Sequence, residues 1–578
     1  MTTAGAARDP EAEFDVVVVG SGAAGMTAAL TAAHHGLRAV VLEKTGTFGG
    51  STARSGGGIW APNNEVLRRA GVRDTPEQAR AYLAHVVGDE VPAARQRALL
   101  EHGPAMLELV RALAPIDFAW VPGYADYYPE APGGLAAGRS IEPRPLDGRR
   151  VLGAELDHLN PPYLPTPPGL TITQADYRWL ALGPRHPRAM LASAKVAARL
   201  ARARLLRQRT LSMGQALAAG LRAGLLACGV PVWLDTPMTG LVLDGAGPDR
   251  AGPDRAEPDG GRVTGVRVTR DGRPAVIAAA RGVILAAGGF ERSEQLRQRY
   301  QRAPIGTEWT TGSAGNTGDA ITAGEAAGAA LDLMDDAWWG PSIPLGHGPY
   351  FCLAERSLPG CLLVNGAGQR FVNESAPYVD AVHAMYDGHR EGTPHIPAWL
   401  ITDQRYRDRY VFAGLPPGRA LPRRWYKSGA VFSAPAIAEL AAQAGLDPAA
   451  LTKSVTRFNE FAGAGRDEDF GRGNSAYDRY YSDPRCRPNP CLAALARPPF
   501  YAIKIVPGDL GTKGGLRTDE RARVLRADGT AIGGLYAAGN TSAAVMGRSY
   551  AGAGATIGPA MTFGYLAALD LAGGRPPG

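Results

Sequence analysis

The residues between 20 and 57 are the first in this chain whose spacing implies chemistry. Gly20, Gly22 and Gly25 spell G-x-G-x-x-G, with Ala23 and Ala24 between the last two glycines. This spacing suits a pyrophosphate. The first glycine permits a tight turn, the second lets backbone amides come close, and the third lets a helix pack on a strand. Glu43 follows 18 residues after Gly25, where a carboxylate accepts bonds from ribose hydroxyls. After Lys44 comes TGTFGGSTARSGGGIW, whose Gly50, Ser51, Thr52, Ser55, Gly56 and Gly57 offer amides and hydroxyls with little bulk. Two further strand-then-glycine turns can abut the same ligand: VILAAGGF, with Ala287 and Gly288, and GLYAAGN, with Gly539 and Asn540. A nicotinamide dinucleotide rarely needs three such places, so the reading is FAD.

These positions require a particular frame. FDVVVVG is a short apolar run suited to a strand buried on both faces, MTAALTAAHHG has helical composition, and RAVVLEK is a second strand. Together they make a βαβ unit of about 30 residues. Residues 65 to 114 and 189 to 228 read as helical, and residues 122 to 188, rich in Pro, Gly and Tyr, as loops over a cleft. PVWLDTPMTGLVLD, RVTGVRVTR and RGVILAAGG read as strands, and the GPDRA repeat at 247 to 256 as a polar hairpin tip. From about 339 to 510 the texture changes to aromatics, prolines and short segments, and GGLYAAGN then returns to the opening grammar. The expected fold is α/β, with α+β character in a smaller domain. A discontinuous Rossmann-like FAD-binding domain would span 1–338 (1–12 a disordered lead) and 511–578, with a catalytic domain at 339–510 inserted.

Bulk composition narrows the function. The 578 residues exceed one hydrophobic core. The net charge of +7 comes mostly from scattered arginines, with no basic run, which argues against nucleic-acid binding. Five scattered cysteines and no histidines at ligand spacing imply neither a disulfide framework nor a metal site. No G-x-S-x-G or H-E-x-x-H occurs, which leaves hydrolase and zinc-protease readings without support. The beginning of the chain carries acids and no apolar h-region, so the expected compartment is the cytoplasm. The uncharged stretch Ser549 to Leu569 is long enough for a membrane span. Its Gly552, Gly554, Gly558 and Pro559 fit a turn entering a buried helix better. Peripheral membrane contact stays open, since a lipophilic ligand partitions into lipid.

The combination GSGAAG, LEKTGTFGGST, VILAAGGF and GLYAAGN resembles the fumarate reductase and ketosteroid dehydrogenase flavoprotein superfamily. That resemblance covers nearly the whole chain and implies non-covalent FAD, with the flavin facing the smaller domain. Within the superfamily, GYADYYPE (123–130), NESAPYVD (373–380) and GRSYAGAGATIGPAM (547–561) resemble the 3-ketosteroid Δ1-dehydrogenases. The resemblance implies a base at Tyr378, an assisting phenol at Tyr127 (or its neighbour Tyr128), and carbonyl-binding groups at Tyr550 and Gly554. Ala555 and Ile557, where a helix begins, would then adjoin the flavin.

The chemistry so implied is removal of a C2 proton by a tyrosine and of a C1 hydride to flavin N5. The steroid is the expected substrate, and an electron acceptor, a quinone or another, must close the cycle. Enolisation acidifies C2, so donors aimed at the C3 oxygen lower the barrier as charge develops there. A phenol with an ordinary pKa of about 10 needs help to act as a base near neutrality, and a neighbouring phenol can stabilise the phenolate. Two alternatives share the fold. A fumarate reductase-like enoate reductase would need arginines to clamp carboxylates, and Arg548 stands close to Tyr550. A 3-ketosteroid Δ4-dehydrogenase would share the aromatic constellation.

Overall fold

The uniformly apolar run VVVV forms the second half of the strand Ala12–Val19, where Val16, Val17 and Val18 are fully buried. Such burial is what a parallel strand covered on both faces requires. A computed structural model describes residues 12–163, 170–244, 261–346 and 348–573. Residues 1–11 of the expected lead and the whole GPDRA repeat lie outside the described residues.

Ala12–Val19 pairs in parallel with Ala39–Leu42 on one side and with Arg273–Leu285 on the other. Ala531–Ala537 joins in parallel beyond Arg273–Leu285, and Val232–Trp233 beyond Ala39–Leu42. Antiparallel additions (Arg523–Leu525, Val263–Arg270 and Met238–Leu243) complete eight strands. Segments from the two ends of the chain thus build one sheet. The helices Ala23–His34 and Ile557–Leu571 also meet closely, since a Cβ on Gly564 would lie 2.4 Å from the Ala24 carbonyl oxygen.

A second, antiparallel sheet of six strands is built from residues 337 to 512. Its central member Phe500–Thr512 pairs with Ala337–Pro344, Ala398–Asp403 and Val431–Ala434. Cys361–Val364 and Pro349–Phe351 lie at its margins.

Residues 122–188 hold more regular structure than the loop reading expects, including the strand Ser140–Pro143 and the helices Gly148–Leu152 and Gln174–Leu180. The reason is polar anchoring, which leaves no hydrophobic period. Arg139, fully buried, pairs with Asp74 at 2.8 Å and with Asp126, which also accepts from Trp60 Nε1 at 3.0 Å. The stretch 549–569 does form a turn followed by the buried helix Ile557–Leu571. Among the described residues, no helix is long and apolar enough to cross a membrane.

Candidate active site

Both sheets contribute to one cavity of about 1580 Å³. This exceeds the 300–1,000 Å³ of an ordinary small-ligand cleft, leaving room for an extended dinucleotide and a second ligand.

At one end the wall is mostly backbone. Gly20 adopts φ +107°, and a Cβ there would meet the Ala286 carbonyl at 2.3 Å, so the turn demands glycine. Gly22 caps the helix Ala23–His34 without a side-chain bond, which leaves that helix's positive end for an anion. Thr52 Oγ1 accepts from the Ala23 amide at 3.0 Å, and Ser51 Oγ accepts from Ser313 N at 2.9 Å and Asn316 Nδ2 at 3.0 Å. Glu43 is preset by Ser21 (Oγ at 2.5 Å) and Thr45 (Oγ1 at 2.9 Å). The Lys44 ammonium turns to Asp319 at 2.7 Å. Ala24, Gly50, Ser55, Gly56 and Gly57 line the cavity, and Ala287, Gly288, Gly539, Asn540 and Ile557 bound it elsewhere. Gly25 and Ala555 do not line it. Gly25 instead packs under the turn, its missing Cβ only 1.9 Å from the Gly20 carbonyl oxygen. Open amides, a narrow glycine cradle and a preset carboxylate fit FAD.

At the other end the wall is aromatic. Tyr127, Tyr378 and Tyr550 arrive from three distant segments with ring centroids 5.1–5.5 Å apart. The Tyr127 hydroxyl donates to the Tyr378 hydroxyl at 3.1 Å. Tyr128 points elsewhere, donating to Asp380 at 2.8 Å. Tyr550 and Thr556 share a hydrogen bond at 2.9 Å. Burial pushes Tyr127 and Tyr378 well above the ordinary phenol range, while the bond from Tyr127 acts on Tyr378 in the opposite direction. Burial also raises Tyr550, against its hydrogen bond with Thr556. Gly554 has a further reason to be glycine beyond ligand access. Its φ is +92°, and a Cβ would strike Gly58 and Ile59 backbone atoms at 2.4 Å.

Each phenol is held by anchors behind it. The Tyr127 amide donates to the Ala551 carbonyl at 3.1 Å, tying its loop to that of Tyr550. Lys513, fully buried, donates to the carbonyls of Arg548 (2.6 Å) and Ser549 (3.0 Å). Tyr378 begins the helix Tyr378–Arg390, and the loop before it is fixed by Glu374. That carboxylate accepts from Leu363 N at 3.0 Å, Arg370 Nε at 2.7 Å and Arg472 Nη1 at 3.0 Å. The sequence reading missed these anchors, and it missed Tyr124, Tyr481 and Phe351, which also line the cavity. The relevant signs were the tyrosine-rich stretch 122–188, which holds Tyr124, and the aromatic density of residues 339–510.

Two of the three arginines that line the cavity, and Arg548 beside Tyr550, are engaged elsewhere; the third, Arg424, is exposed. Arg548 is committed to Asp335 through two 2.8 Å bonds and to Glu90 at 2.9 Å. Arg54 and Arg292 line the cavity but donate to backbone carbonyls within residues 307–312.

A dinucleotide cradle joined to an uncharged aromatic slot defines an FAD-dependent oxidoreductase of the flavoprotein class. The profile of the FAD binding domain family matches residues 15–557. The 3-oxosteroid 1-dehydrogenase of Mycobacterium tuberculosis (strain ATCC 25618 / H37Rv) is 56% identical over 564 residues, 97% of this chain and 98% of that protein. The protein of that name from Mycolicibacterium smegmatis (strain ATCC 700084 / mc(2)155) is 54% identical over 97% of each chain. A crystal structure of the 3-ketosteroid delta1-dehydrogenase of Sterolibacterium denitrificans in complex with 1,4-androstadiene-3,17-dione superimposes with a TM-score of 0.90 at 40% identity, covering 97% of this chain and 99% of that one. The chain belongs to the 3-oxosteroid 1-dehydrogenase family of FAD-binding flavoproteins.

Proposed function

We propose that this chain introduces a C1–C2 double bond into 3-ketosteroids. The observation that carries this reading is the meeting of Tyr127, Tyr378 and Tyr550 at the uncharged end of the cofactor cavity. The Tyr550 hydroxyl and the Gly554 amide hold the C3 carbonyl oxygen and stabilise the charge that grows on it. Tyr378 takes the acidified C2 proton, and Tyr127 donates a hydrogen bond that favours the phenolate form of Tyr378. Bound FAD supplies the acceptor for the C1 hydride. The aromatic walls favour a neutral, apolar ligand over a dicarboxylate. Anaerobic mixing of the yellow holoprotein with androst-4-ene-3,17-dione tests this. Bleaching with formation of the 1,4-diene is expected, and turnover with succinate or fumarate alone contradicts it.

The unit boundaries we propose are 338/339 and 510/511. They are supported to within two residues by an antiparallel sheet spanning residues 337 to 512, whose strands Ala337–Pro344 and Phe500–Thr512 they cut near the ends, and by a parallel strand, Ala531–Ala537, that returns to the first sheet. We further propose peripheral contact with anionic membrane. The helix Pro187–Leu205 and the residue after it expose Met190, Leu191, Leu205 and Leu206 beside Arg188, Lys195, Arg202 and Arg204. Thr210, Leu211 and Ser212, just beyond this helix, line the cavity. Two exposed apolar pairs at opposite ends of a cationic helix match an anionic lipid surface. Sedimentation with phosphatidylglycerol vesicles, lost in a Leu205→Glu, Leu206→Glu variant, supports this contact; no sedimentation of the parent protein refutes it.

A further inference from the structure

Beside the phenol cluster the chain buries an arginine that the chemistry above does not use. Arg356 is 2% exposed. Its Nη1 donates to the carbonyl oxygens of Glu374 at 2.5 Å and Ala376 at 2.8 Å, in the loop that delivers Tyr378 to the start of its helix. Its Nε and Nη2 are also buried and have no hydrogen-bond partner among the described residues. Buried polar groups are normally satisfied, and a guanidinium keeps its charge in proteins. A carbonyl anchor alone would be served by a neutral donor.

The charge bears on the phenols. It favours the ionised forms of Tyr124 and Tyr477. The Tyr124 ring packs with its centroid 6.4 Å from that of Tyr127, which donates to Tyr378. Most other charged and titratable groups packed nearby are engaged, although Glu355 Oε2, next in the chain to Arg356, has no partner among the described residues. Asp380, on the Tyr378 helix, accepts from Tyr128, and His383 one turn on faces Asp336, which pairs with Lys513. Glu374 is neutralised by Arg370 and Arg472, and Glu355 accepts from Tyr350 at 2.7 Å. Cys352 and Cys361 are buried thiols whose burial pushes them upward, so they stay neutral.

We propose that Arg356 is a positioning residue for the base: it fixes the loop that presents Tyr378 and supplies the buried countercharge for negative charge shared among Tyr378, Tyr127 and Tyr124. This rests on the reading of Tyr378 as the base. Loss of the cation should make the phenol harder to ionise without removing any group that touches substrate.

The test uses FAD-loaded Arg356→Gln and Arg356→Lys proteins, with kcat followed across pH and FAD content measured in each. In Arg356→Gln the acidic limb should move up by about one unit, so that the rate near neutrality falls about tenfold and recovers in alkali. Arg356→Lys, which keeps the charge, should restore most of the profile. An equal loss at every pH in both variants, or loss of FAD from both, identifies a purely structural anchor and overturns the proposal. Tyr378→Phe is run alongside. If Tyr378→Phe stays active, the base reading itself fails. If it is dead while Arg356→Gln keeps the parent pH profile, only the role of Arg356 fails.

Discussion

The cofactor end and the substrate end of the cavity are built on opposite rules. Around Gly20–Gly25 and residues 49–57 the wall is main chain, and what matters there is the absence of side chains. Around Tyr378 the wall is made of rings, and what matters is that three segments, up to several hundred residues apart, keep their rings within 5.5 Å. The cradle is held by its own turns. The slot is held from behind, by Arg139 and Asp126 under the Tyr127 loop, by Glu374 with two arginines before Tyr378, and by Lys513 under the Tyr550 loop. Damage to the first should therefore cost the cofactor. Damage to the second should leave the cofactor bound and the chemistry impaired.

The largest effect is expected at Gly25, where a Cβ would lie 1.9 Å from the Gly20 carbonyl oxygen. Gly25→Val should yield no yellow holoprotein, read from the 450 nm absorbance per protein; an FAD-replete variant would break the contrast. Tyr550→Phe should keep FAD yet lose about 2–4 kcal/mol of transition-state stabilisation, roughly 30- to 1,000-fold in kcat/KM. Next, Tyr127→Phe should slow flavin reduction about tenfold, and Tyr128→Phe by no more than about twofold, since Tyr128 turns away to Asp380. Equal losses in the two variants would show that sequence neighbours, not hydrogen-bond geometry, define the assisting phenol.

The smallest effect concerns stability at the cofactor end. Glu291 lies next to the Gly288–Gly289 turn, and burial lifts its carboxyl to about 7. An acid raised in the folded state holds its proton there while the unfolded chain loses it, so stability falls as pH rises from about 4.5 to about 7. Glu291→Gln removes that fall. Thermal melts should show the variant gaining roughly 1–3 kcal/mol relative to the parent between about pH 5 and about pH 8. A parallel pH response of the two Tm values would refute the assignment.

Much of the cradle is legible in the chain because its determinants are contiguous: a VVVV strand, a spaced glycine triplet and a carboxylate 18 residues on. The tyrosines are legible only through their local patches, since nothing in periodicity says that residue 127 meets residue 378. The anchors are not legible at all. Arg139, Glu374 and Lys513 are buried charges, and a charge in a sequence reads first as surface. The regular structure among the described residues of 122–188 was missed for the same reason: Arg139 and Asp126 organise it by ion pairing, which leaves no hydrophobic pattern.

Single-turnover reduction of the FAD by a 3-ketosteroid, compared between the parent protein and Tyr378→Phe under anaerobic conditions, tests the substrate end most directly. Bleaching in the variant should slow by at least about a hundredfold, with FAD content and steroid affinity preserved. A variant that keeps more than about a tenth of the parental rate would remove Tyr378 from the base role and leave the phenol cluster without its function.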